Sequence, residues 1–104
     1  MSKKYILDGK EPVFCDDLFV WAAWLETEKT RVALTKEGDT EVSTIFLGIE
    51  YSFSEGPPLL FETMIFGGEH NGFLKRYSTW EEAEEGHQKI CNQVFLNKKS
   101  GGEI

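Results

Sequence analysis

Apolar and polar positions divide the chain into two kinds of segment. Tyr5-Ile6-Leu7 and Pro12-Val13-Phe14 are short apolar stretches on either side of Asp8-Gly9. This pattern predicts a hairpin, because Asp-Gly accepts the positive φ angles of a tight turn, and it places Pro12 on a strand edge. Asp16 or Asp17 then offers an N-cap for a helix running to Thr27, with Leu18, Trp21, Ala22 and Leu25 at helical spacing and Phe19 and Trp24 flanking them. That stripe is wider than a small sheet needs, which leaves Trp24 or Val20 to touch something else. From Thr30 to Tyr77 the period changes to that of strands: Arg31 to Lys36, Glu41 to Gly48, Leu59 to Phe66 and Phe73 to Tyr77, with Ile49 to Phe53 either extending the second or bulging away from it. Turn chemistry separates them at Glu37-Gly38-Asp39, Ser54 to Pro58 and Gly67 to Gly72. Thr79 and Glu82 have capping-box spacing and open a second helix, with Trp80, Ala83, His87, Ile90, Cys91 and Val94 on its inner face and a run of glutamates outside.

These elements predict an α+β fold: one antiparallel meander of four to five strands with two amphipathic helices, as a single domain over residues 1–96 and a flexible polar tail over 97–104. The central strands are apolar on both faces. They are therefore either covered on both, or covered on one and used for self-association on the other, which favours a homodimer or higher oligomer.

Composition narrows the setting. With 104 residues and 40% apolar content, the chain can bury a core without metal or crosslinks. The apolar run around Phe19 to Leu25 is too short to cross a bilayer, and Met1-Ser2-Lys3-Lys4 leads into no signal core, so a cytoplasmic protein without membrane contact is expected. Cys15 and Cys91, lacking close spacing, read as reduced thiols. A net charge of −7 opposes direct nucleic-acid binding and suits docking on a basic partner.

Few residues carry chemistry. His87 sits in an apolar stripe after a helix-weakening Gly86, as either a hydrogen-bonded core histidine or a ligand contact. Glu62 is a lone carboxylate in an apolar strand, and Arg76 on the neighbouring strand is its expected ion-pair partner. His70 with Glu69 or Asp39 matches no metal-ligand spacing, Gly67-Gly68 lacks the lysine and helix of a phosphate loop, and no serine stands in a nucleophile elbow. No metal or cofactor is expected.

The segments Tyr5 to Val13, Val42 to Gly48, Leu60 to Gly68 and Arg76 to Ala83 resemble a family of small uncharacterised phage and prophage proteins. The resemblance implies no catalytic residue. It implies an accessory protein made in an infected bacterium, where such proteins counteract or modulate host enzymes, defence systems or nucleotide signals. Three classes of function follow. The first is a non-enzymatic binder that sequesters a small nucleotide-like ligand through Trp21, Trp24, Arg31, Glu62, Arg76, Tyr77, Trp80 and His87. The second is an acidic inhibitor covering a host nuclease or polymerase surface with the Glu81 to Glu85 cluster. The third is a small enzyme using His87 and Glu62, which lacks the nucleophile, oriented base and stabilising donors that a mechanism requires.

Overall fold

The computed structural model describes residues 3–50 and 55–96. Strands β1 (Tyr5–Asp8) and β2 (Glu11–Phe14) form a separate two-stranded hairpin, closed by Gly9 at φ 65°. Helix α1 (Leu18–Thr27) follows, with the Asp17 carboxylate accepting from the Phe19 and Val20 amides as N-cap. The meander is β3 (Arg31–Glu37), β4 (Thr40–Phe46), β5 (Phe61–Phe66) and β6 (Leu74–Tyr77), antiparallel throughout and in sequence order. Helix α2 (Trp80–Cys91) closes the fold and runs on as a wider turn over Asn92–Leu96. The expected capping box is complete, with Thr79 Oγ1 accepting from the Glu82 amide and the Glu82 carboxylate accepting from the Thr79 amide.

The α+β class and the meander are thus as expected, with two local differences. After Phe46 the chain leaves the sheet and turns toward the start of the hairpin, where the Tyr5 amide donates to the Gly48 carbonyl and Lys4 bridges Ile49. Any further course of that segment through residues 51–53 lies outside the described residues, as does the tail over 97–104. The second difference is α1. Eight consecutive apolar residues, Leu18 to Leu25, give this helix no polar side, so its sequence does not mark an inner face. Trp21, Trp24 and Leu25 turn inward and are half-buried, whereas Leu18 and Ala22 are exposed.

Register decides which side chains meet. The pairs Thr35↔Val42, Ala33↔Thr44, Thr44↔Thr63, Phe46↔Phe61, Val42↔Ile65 and Phe61↔Tyr77 place one set of positions beneath α2. Val42, Phe46, Phe61 and Ile65 are at most 2% exposed there and form the core with Ala83, Ile90, Cys91 and Phe95. Those apolar burials supply the main stabilisation. A bulge between Arg31 and Ala33 leaves Val32 also packed on this core. Rings continue the packing across elements: Trp24 on Phe46, Phe46 on Phe61 and Phe61 on Trp80, with centroids 5.7, 5.3 and 6.1 Å apart.

Candidate functional site

Three regions hold the candidate residues. The first lies between the sheet and α2, where His87 is 5% exposed. Its Nδ1 is 2.7 Å from Thr44 Oγ1 and its Nε2 2.9 Å from Thr35 Oγ1, and Thr44 Oγ1 is in turn 2.5 Å from Thr63 Oγ1. A neutral imidazole has one donor and one acceptor nitrogen, and rotating hydroxyls can satisfy either tautomer. Burial lowers the His87 pKa below its ordinary value, so the ring is held neutral. Burial likewise raises the Cys91 thiol, opposed by a hydrogen bond with Thr35 and reinforced by the charge of Glu37. His87 is therefore a core histidine whose partners are threonine hydroxyls on two strands, with the Thr63 hydroxyl of a third bonded to Thr44. Glu62 stands on the opposite face of the sheet, so the acid and base of the enzymatic reading do not share a site.

Beside this core, the edge of β6 and α2 bound a groove of about 340 Å³, lined by Lys75, Arg76, Tyr77, Ser78 and Lys89 together with Glu82 and Glu85. The Tyr77 ring lies against Gly86, where an added Cβ would overlap it. Its hydroxyl is buried and has no hydrogen-bond partner among the described residues. Trp80 Nε1, at the adjoining end of α2, is in the same condition, while Lys10 Nζ lies 5.7 Å from the Trp80 ring. Unsatisfied buried donors are rare enough to ask for a cause.

The second region is the open face of the sheet. The ion pair expected between Glu62 and Arg76 is present, with Nε 3.0 Å from Oε2. Arg31 lies in the same row, opposite Ile45, which pairs with Glu62. The third region is the hairpin with α1. Trp21 Nε1 donates to the Gly48 carbonyl at 2.8 Å, and Lys4 Nζ sits 5.8 Å from the Trp21 ring. Trp24 is engaged with Phe46. The eight candidate residues are thus distributed over three regions: Tyr77, Trp80 and His87 around α2, Glu62, Arg76 and Arg31 on the open face, and Trp21 and Trp24 on α1.

No family model, curated protein or solved structure matches this chain. Its function must be read from these surfaces.

Other sequence candidates have local structural explanations. Gly67 and Gly68 have left-handed backbones and press on Asp39 and Thr40 of the β3–β4 turn, which leaves no room for a side chain. His70 and Glu69 do meet Glu37 and Asp39 around a second hollow, of about 350 Å³. Among the described residues, however, no group of three or more His, Cys, Asp or Glu could hold a metal ion. No described helix is long and apolar enough to cross a membrane.

What sequence reasoning missed is the threonine set and, on α1, that Leu18 and Phe19 face outward together with Val20. The threonines carried a faint signal, since Thr35, Thr44 and Thr63 fall on strands at positions whose facing depends on long-range register. On α1 the expected spare surface is present, but Phe19 rather than Trp24 carries most of it. No residue of the helix is buried, and Phe19 is 84% exposed; Leu18 and Val20 of the same helix, and Val13 and Phe14 of the hairpin, are exposed as well.

Proposed function

We propose that this protein is a non-catalytic binding protein, in the phage or prophage setting that its resemblance implies, and that it covers a basic surface of a host protein with the apolar outer side of α1 and the hairpin. The observation that carries this reading is an eight-residue apolar run in a helix with no buried residue. Exposed apolar surface of this kind marks interaction sites, because water contact disfavours it and burial against a partner relieves that cost. Exposed Asp16, Asp17 and Glu26 flank the apolar run along the chain, exposed Glu11 lies on the hairpin, and the whole chain carries −7, so a cationic partner is the complementary one. Phe19 projects farthest and is the expected anchor.

Phe19→Ser is expected to keep the melting temperature of the native protein, because the ring is exposed, and to weaken capture of a cationic host protein at least tenfold, a loss of about 1.4 kcal/mol or more. Raised salt should also weaken the wild-type complex. Equal capture of the same protein by Phe19→Ser, or capture of acidic proteins only, sinks this reading.

A second reading, sequestration of a small nucleotide-like ligand, is supported by the unpartnered Tyr77 hydroxyl beside the groove that contains Lys75 and Lys89. An anionic ligand oxygen would satisfy that donor and the lysines together. Tyr77→Phe removes a buried group that costs about 1 kcal/mol or more when unsatisfied, so the free variant should melt at or above the wild-type temperature. Nucleotides that raise the wild-type melting temperature should fail to raise that of Tyr77→Phe. A panel of mono-, di- and cyclic dinucleotides that shifts neither protein counts against sequestration.

A further inference from the structure

The sheet has one face beneath α2 and one that no described element covers. Leu34, Ser43, Met64 and Leu74 form a row across all four strands of the open face, since Leu34 pairs with Ser43, Ser43 with Met64 and Met64 with Leu74. Ile45 lies in the next row on one side and Phe66 in the next on the other. Leu34, Phe66 and Leu74 are exposed at 43%, 47% and 42%, which is unusual for three large apolar side chains sharing one sheet face.

Charge distinguishes this face from the rest of the molecule. Its ionised residues are Arg31, Lys36 and Arg76 against Glu41 and Glu62, three cations and two carboxylates, for a formal +1 on a chain of −7. The outer side of α2 presents Glu81, Glu82, Glu84 and Glu85, and the α1 surface is bordered by Asp16 and Asp17. Two copies meeting through either of those surfaces would bring like charges together, a repulsion that disfavours the wrong pairing. Two copies meeting through the open face would bring together only a formal +1 from each. That face also carries both signs, so a two-fold arrangement can set the cations of one copy near the carboxylates of the other.

We propose that the open face is a homodimer interface, and that two copies stack their β3–β6 sheets back to back, with Leu34, Ile45, Met64, Phe66 and Leu74 of each forming an inner layer between them. Stacked sheets lie about 10 Å apart and bury alternating side chains in this manner. Each subunit then becomes the second cover that a sheet apolar on both faces requires. The Glu62–Arg76 pair becomes more deeply buried and fixes how the two sheets align. This proposal does not depend on the binding surface assigned to α1, which stays outward on each subunit.

The test is sedimentation equilibrium of the whole chain over about 1–200 µM, a range spanning typical non-obligate affinities, with Leu74→Asp, Leu34→Glu and Phe19→Ser beside the wild type. Circular dichroism confirms that each variant is folded. The expected result is a wild-type dimer, a dissociation constant raised at least a hundredfold in Leu74→Asp and Leu34→Glu, and an unchanged dimer in Phe19→Ser. A wild type that stays monomeric to the highest concentration overturns the proposal. So does a dimer that survives both sheet variants, or one that is lost in Phe19→Ser while they keep it, because the α1 surface would then be the contact. Loss of host-protein capture with the dimer intact bears on the function of α1 and leaves this interface standing.

Discussion

Gly67→Ala is expected to lower the melting temperature by roughly 10–20 °C, corresponding to about 3 kcal/mol in a domain of this size. Two independent costs add at this position. Its φ of 80° is left-handed, which strains any residue with a Cβ by about 1–2 kcal/mol. A Cβ there would also overlap the Asp39 carbonyl oxygen, a backbone atom in the tight β3–β4 turn that cannot rotate aside. Gly38→Ala is the control. Gly38 has φ 59° and nothing within 4 Å of the added carbon, so only the strain remains and the expected loss is near 1 kcal/mol. Equal losses in the two variants would show that the packing of the β5–β6 loop on the β3–β4 turn contributes nothing.

His87→Ala should be comparably destabilising, by about 2–4 kcal/mol in denaturant titration, because it opens a cavity and leaves the Thr35 and Thr44 hydroxyls with fewer partners. The wild type should also lose stability with acid. Burial depresses the folded-state pKa of this base below 6.5, so the unfolded chain takes up the proton first. The contribution is complete above pH 6.5. It declines as pH falls through 6.5 toward the folded value, with a slope of up to about 1.4 kcal/mol per pH unit. His87→Gln keeps a neutral hydrogen-bonding side chain and should flatten that slope even where its stability at pH 8 is lower. An identical acid slope in His87→Gln would place the titrating group elsewhere.

The parts of this fold that were legible in the sequence are those that short-range chemistry determines. Asp17, Gly9, Gly38 and the Thr79–Glu82 pair act within one turn of the chain, and each marks an element boundary that the structure contains. Alternation along β4 and β5 identified strands without ambiguity. It did not identify which face α2 would cover, because both faces carry apolar residues and the choice is made by packing between distant segments. The Glu62–Arg76 pair could be anticipated because adjacent strands in a meander bring such residues side by side. The His87 partners could not, because they come from two strands and depend on register.

Helix α1 was legible as a helix and illegible as a surface, for a related reason. Leu18 to Leu25 is apolar all round, so the sequence supports several orientations equally. Local anchors decide among them: the Trp21 donation to Gly48, the Trp24 ring on Phe46, and the close approach of Leu25 to Gly48. Those contacts use the two tryptophans that had been candidates for ligand stacking and turn Phe19 outward.

The threonines of the core have one further effect. Sliding a strand by one residue against its neighbours carries its whole inward set of side chains to the other face. In β4, such a slide would carry Thr44 away from His87 and bring Ser43 or Ile45 to the helix in its place. The imidazole would then face a partner of the wrong length or no partner, inside a region that excludes water. The β3 and β4 hydroxyls that meet the ring, with the β5 hydroxyl bonded behind them, therefore act as an alignment key that reinforces the one phase in which Val42 and Phe46 are buried.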